Sequence, residues 1–154
     1  MISNKTKYAL KALTVLAKNY GKGPMLIADL AKQERIPKKF LEVILLSLKN
    51  KGLLQSKQGK HGGYALAKVP EAVTLGDVIR ILDGPLAPTP CTSQTAYRKC
   101  DECVDEATCG IRLVMKEVRD STAAILDGTS LADLLLRIEK AAYAQGGGSG
   151  MYYI

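Results

Sequence analysis

The chain has 154 residues, 47% of them hydrophobic, with a mean hydropathy of zero, which bounds it to one domain or one domain with an appendage. Its first residues, MISNKTKYALKAL, hold no apolar run before a small-residue cleavage site, and no stretch is long and apolar enough to span a bilayer, so a cytoplasmic protein without a membrane partner is expected. The net charge of +7 is unevenly spread: residues 1–69 carry 14 Lys and Arg against 3 acidic residues, a net of +11, while residues 70–154 carry 8 against 12, a net of −4. A basic half joined to an acidic half points the first toward a polyanion.

In chain order, Tyr8, Ala12, Leu13, Leu16, Ala17 and Tyr20 recur at helical spacing and predict a helix over 4–20, ended by Gly21–Pro24. A second helix is expected over about 26–33. After the short break at Glu34–Ile36, Pro37 suits the first position of a third helix, where its missing N–H costs nothing. That helix runs to about Asn50, buries Leu41, Ile44, Leu45 and Leu48, and stops at Gly52. Two helices across a tight break, the second carrying Lys38, Lys39, Glu42 and Lys49 off its apolar stripe, form a helix-turn-helix pattern. Strand-like Leu53–Ser56 and Tyr64–Ala67 follow, around a tip rich in Gly and Lys. This hairpin has the size of a DNA-binding wing, whose glycines let the backbone approach phosphate and whose Lys57, Gln58, Lys60 and His61 reach outward. A double-stranded DNA operator is the expected partner.

Thr74 predicts an N-cap for a helix over about 75–82. A Pro-rich break leads to a cysteine-rich loop. A long helix then starts at Asp105 or Gly110, with Ile111, Val114, Met115, Val118, Ala123, Ile125 and Leu126 as its apolar stripe. Gly128 ends it, Thr129 or Ser130 caps the next helix, and Leu131, Leu134, Leu135 and Ile138 carry that one to about 142. Such a helix after a winged domain is expected to dimerise the chain, or to pack on its own domain. The composition of residues 143–154 predicts a flexible tail. The fold class is therefore mainly α with a small β-hairpin: a winged helix-turn-helix domain over 1–83, a sensor loop over 84–109, dimerisation helices over 110–142 and the tail.

All four cysteines lie in the loop, spaced C-x8-C-x2-C-x5-C at Cys91, Cys100, Cys103 and Cys109. In a reducing compartment this pattern favours a metal or a redox sensor over a structural disulfide. Four thiolates satisfy a two-iron or four-iron cluster. They also satisfy tetrahedral zinc, although a zinc ribbon carries two C-x2-C knuckles and this chain has one. A metal-free thiol switch is the third reading. Arg98 and Lys99 are placed to lower the Cys100 pKa, while Asp101, Glu102, Asp105 and Glu106 act oppositely and are read chiefly as solvating the loop. No catalytic residue and no small-molecule substrate are evident, because the only histidine, His61, sits in the basic hairpin far from the thiols.

The segments TKYALKAL, FLEVILLSLKNKGLL, SKQGKHGGYALAK and LGDVIRILDG resemble the Rrf-two family of bacterial winged-helix transcription regulators over about residues 1–140. The resemblance implies a homodimer on a partly palindromic operator and a ligand at the cysteine loop that alters DNA affinity. Glu42 stands where family members that bind an iron–sulfur cluster use a glutamate to discriminate operators, and Gln58 stands where the wing usually carries arginine. Those members carry C-x5-C-x5-C. Cys103 and Cys109 keep the last spacing, but Tyr97 occupies the position six before Cys103. Their fourth ligand, a histidine or an aspartate, is replaced here by Arg112 and Lys7. An all-cysteine site at Cys91, Cys100, Cys103 and Cys109 is therefore expected, holding an iron–sulfur cluster that responds to redox or iron. The alternative is a cluster-free member of the family controlled by thiol oxidation or by a partner protein.

Overall fold

The computed structural model describes residues 2–152, with side chains described for 2–146. Helix α1 (Asn4–Lys18) starts where the Ser3 hydroxyl accepts from the Thr6 amide. Ala9, Ala12, Leu13, Leu16 and Ala17 form its buried face. Tyr20, expected on that stripe, falls beyond the helix end and is half exposed. Helices α2 (Ile27–Glu34) and α3 (Lys38–Asn50) follow. Pro37 is the N-cap of α3 rather than its first helical residue, because its ψ of 126° is still extended while its fixed φ suits either position. Leu41, Ile44, Leu45 and Leu48 are buried on α3, as their spacing predicts.

Strands β1 (Leu54–Lys57) and β2 (Gly63–Leu66) pair antiparallel, with Leu54 opposite Leu66 and Lys57 opposite Gly63. Met25, between α1 and α2, adds a bridge to Tyr64, with N–O distances of 2.8 Å in both directions. The wing is thereby tied to the linker ahead of the helix-turn-helix. Helix α4 (Leu75–Asp83) opens on a capping box in which Thr74 and Asp77 exchange side-chain to backbone bonds.

Helix α5 (Gly110–Asp127) leaves the head, and α6 (Leu131–Tyr152) returns to it. Of the two predicted caps for α6, Ser130 serves: its hydroxyl accepts from the Asp133 amide, and the Asp133 carboxylate accepts from the Ser130 amide. The turn before α6 is stitched to the head by Leu131 N–H to Val73 C=O and Leu75 N–H to Thr129 C=O, both 2.9 Å. Leu131 is fully buried, and Leu134 and Leu135 pack against the head core, so the inner face of α6 belongs to the head. Helix α6 continues past the predicted end near 142 and into the segment expected to be a flexible tail. Ala141, Ala142 and Ala144 are strong helix formers, and each residue added to an existing helix gains a hydrogen bond. Residues 153 and 154 of that tail lie outside the described residues. Among the described residues no helix is long and apolar enough to cross a membrane.

Helices α4 and α5 cross at Gly76, where a Cβ would collide with the Asp127 carboxylate. That carboxylate receives both terminal nitrogens of Arg80, at 2.7 and 2.8 Å. The pair holds the Asp127 carboxyl below its usual range, first through the hydrogen bond from Arg80.

Candidate functional site

The outward side of the helix-turn-helix is set by what α3 buries. With Leu41, Ile44, Leu45 and Leu48 turned inward, Lys38, Lys39, Glu42 and Lys49 are left exposed. Arg35 makes the break between α2 and α3 with a left-handed backbone, φ 56° and ψ 46°. The Phe40 ring meets Tyr8 edge-on, with centroids 5.6 Å apart, and braces the start of α3 against α1. Two apolar side chains, Val43 (60% exposed) and Leu46 (50% exposed), share the outward side with the lysines. Exposed apolar groups on a helix that enters a major groove can meet thymine methyls. Leu46 went unnamed in the sequence reading; its signal was a leucine one position off the buried stripe.

The wing tip is shaped by glycine. Gly59 has φ 104° and Gly63 φ 134°, both left-handed, and a Cβ on Gly63 would strike the Met25 carbonyl. Gly62 is closed to side chains by the Lys57 carbonyl. Lys57, Gln58, Lys60 and His61 are all exposed on this tip. The helix-turn-helix and the wing thus present cations on short, rigid supports.

The cysteine loop is built from short-range turns. Cys91 lies in a single 3-10 turn (Pro90–Thr92), with its Sγ 3.3 Å from the Thr89 hydroxyl. Cys100 and Cys103 close a tight turn through Cys103 N–H to Cys100 C=O, at 3.1 Å. A second 3-10 turn (Glu106–Thr108) delivers Cys109 as the N-cap of α5. All four thiols are free, and all four line one cavity of about 410 Å³ together with Glu102, Asp105 and Arg112. They share that cavity without converging. Among the described residues no three ligating side chains stand close enough to hold a metal ion.

At Cys100 the acidic neighbours prevail over Arg98 and Lys99. The Cys100 Sγ donates to the Glu102 carboxylate at 2.8 Å, and this bond pushes the thiol above its ordinary pKa. A partner two residues away on the same turn outweighs lysine and arginine side chains that extend into solvent. The Tyr97 hydroxyl donates to Glu106, which raises the phenol above its ordinary pKa. Tyr97 and Glu106 thereby join the loop's bonding, and Arg112 lines the cysteine cavity; the sequence marks Tyr97 and Arg112 as the positions where family ligands are replaced.

On α5, Ile111 (70% exposed), Val114, Val118 and Ile125 leave an apolar row uncovered, while Ala123 alone is buried. The predicted stripe thus splits: among the described residues nothing covers Ile111, Val114, Val118 and Ile125, whereas Met115 and Leu126 are half-buried and Ala123 is buried.

A helix-turn-helix with a lysine-bearing outer face, followed by a glycine-shaped basic hairpin, defines a winged-helix DNA-binding protein. Residues 2–137 match the Rrf2 family, described as an iron-dependent transcriptional regulator. The chain is 44% identical over 138 residues to an rrf2-like HTH-type transcriptional regulator of Rhodobacter capsulatus, covering 88% of this chain and 92% of that one. The structure of CymR, the global cysteine regulator of B. subtilis, superposes with a TM-score of 0.75 at 33% identity, covering 89% of this chain and 97% of its own. IscR of T. potens superposes with a TM-score of 0.72 at 30% identity, covering 92% and 90%. This chain belongs to the Rrf2 family: it is a DNA-binding transcriptional regulator and not an enzyme.

Proposed function

We propose that the chain acts as a cytoplasmic homodimer that binds a two-fold operator, and that a ligand held by Cys91, Cys100, Cys103 and Cys109 sets its DNA affinity. The observation that carries this reading is the gathering of all four free thiols around one cavity at the head of α5. Four thiolates are the donor set of a two-iron or four-iron cluster, which would supply redox and iron sensitivity here. Zinc meets the same donors but lacks the second C-x2-C knuckle. Lys38, Lys39, Glu42 and Lys49 face the major groove, and Lys57, Gln58, Lys60 and His61 meet the backbone or minor groove.

Cys109 links the two halves of the mechanism. It lines the cavity and also caps α5. Drawing Cys109 toward the other thiols moves the first turn of α5, and with it Ile111 and Val114 of the apolar row. That row is the proposed dimer face, so the change alters the spacing of the two wings along DNA.

Control by thiol oxidation or by a partner protein, without a cluster, is the second reading. It is favoured by four thiols that are free yet unconverged, and by the likeness to CymR. Iron and acid-labile sulfide measured on anaerobically purified protein separate the two. Stoichiometric iron and sulfide that are lost in Cys103→Ala support the cluster. Colourless protein without either, purified under the same conditions, overturns it in favour of the thiol reading.

A further inference from the structure

We propose that a cleft beside the cysteine cavity, between the loop and α5, binds a small oxygen-bearing dianion. Arg112, Lys116 and Arg119 recur at i, i+4 and i+7 on α5 and therefore share one side of the helix. All three line a cavity of about 160 Å³, whose loop side is formed by Cys91, Thr92, Ser93, Gln94 and Tyr97.

The charge in this cleft is unbalanced. Its lining holds three cations and one carboxylate, Asp120, which pairs with Arg119 at 2.9 Å. Glu106 nearby is engaged by the Tyr97 hydroxyl, and Asp127 is engaged by Arg80. Arg119 is mostly buried, with 12% of its side chain exposed. The Nε of Arg112 is buried and has no hydrogen-bond partner. Two guanidinium groups on one cleft wall suit an oxyanion, which they hold through paired, charge-assisted hydrogen bonds in the planar geometry a guanidinium prefers. Ser93 Oγ accepts from the Thr95 and Ala96 amides, which fixes it at the cleft wall with its own proton free to donate. The cavity is well below the roughly 300–1,000 Å³ of sites for drug-sized ligands, so it selects a small ion.

The cleft is separate from the apolar row and from the DNA-binding surfaces. At 100° per residue the row Arg112, Lys116 and Arg119 lies well around α5 from Ile111, Val114, Val118 and Ile125, so a partner on the apolar row leaves the cleft open. It lies in the acidic half of the chain, away from the helix-turn-helix and the wing. Cys91 and Arg112 line both this cleft and the cysteine cavity, so an anion held there bears directly on the thiol site.

The chain contains no tryptophan, so Gln94→Trp in the full-length protein places a single indole reporter on the cleft wall. Its fluorescence is titrated with phosphate, sulfate and succinate at constant ionic strength, with chloride as the control. A saturable change is expected, weakened about tenfold or more by Arg112→Gln, as loss of a charge-assisted hydrogen bond predicts. The same change should persist when Lys57→Gln and Lys60→Gln remove the wing cations. A response to phosphate or sulfate alone assigns an inorganic oxyanion. A tighter response to succinate assigns a small dicarboxylate. Should Arg112→Gln fail to fold, Arg119→Lys keeps the charge but loses the fork, and is expected to weaken binding in the same direction. Should the indole disturb the loop, the rise in Tm of the unaltered chain with phosphate gives the same comparison. No saturable change beyond chloride, a change that survives the cleft variants, or one abolished by the wing variants would overturn the proposal.

Discussion

The winged head and the cysteine loop are held together by different physics. In the head, Leu13, Leu30, Leu41, Ile44, Leu45, Leu48, Val73, Val78 and Leu131 are fully buried in one core fed by α1 to α4 and by the start of α6. Its wing is fixed by a strand register and by the bridge from Met25 to Tyr64. The loop buries Thr92 and Ser93 but none of its cysteines, and most of its turns close over two or three residues, with Arg98 N–H to Pro90 C=O and Tyr97 to Glu106 as longer ties. The head is organised by apolar area removed from water, whereas the loop is organised by its own polar groups. A region of the first kind keeps its shape alone, and a region of the second kind is free to be reshaped by what it binds.

This contrast breaks first under core truncation. Leu45→Ala should cost about 2–5 kcal/mol of unfolding free energy in urea, because a fully buried leucine leaves a cavity that helices on all sides cannot close. Cys100→Ala, in metal-free protein, should shift the same measurement by no more than about 0.5 kcal/mol, since its side chain is exposed. Comparable losses in the two variants would contradict the division.

The wing sharpens the comparison by showing where the head is rigid for a purpose. Gly63→Ala drives a Cβ into the Met25 carbonyl at a left-handed φ and should cost more than about 1 kcal/mol of stability while displacing the tip. Lys60→Ala keeps the fold. It should weaken operator and non-specific DNA alike and lower the salt slope of binding by about 1 in a fluorescence-anisotropy titration. An unchanged slope would remove Lys60 from the interface.

A small, pH-dependent effect lies at the join between the two regions. The folded pKa of Asp127 is depressed by Arg80, so the pair stabilises the α4–α5 crossing above the ordinary carboxylate pKa of about 3.9. That contribution is lost as pH falls through the lower folded value. Both side chains are about a third or more exposed, so its size is on the order of 0.5–1 kcal/mol. In urea titrations, Asp127→Asn should lower stability at pH 7 and bring it close to wild type once the carboxyl is protonated.

The head was legible in the sequence because its signals are local. Leucine spacing on α3, the Thr74 cap and the glycines of the tip each act within a turn or two of chain. The loop was legible as chemistry but not as geometry. The spacing of Cys91, Cys100, Cys103 and Cys109 states the donors, yet their common cavity depends on how α5 lies against the loop. Arg112 shows the limit. Its place where the family's fourth ligand stands was legible, but not that it lines two cavities with its Nε buried. The inner face of α6 was likewise open, since Leu131, Leu134 and Leu135 suit a partner chain or the chain's own head equally well by period alone.

The central claim is that the loop governs the head. Operator affinity measured anaerobically, and again after oxidation in air, for the unaltered chain and for Cys103→Ala tests it most directly. The account predicts a change of about 5- to 150-fold in the unaltered chain, the range of a typical coupling free energy, and its collapse in Cys103→Ala. Equal affinities under both conditions in the unaltered chain, or a change of the same size in the variant, would contradict it.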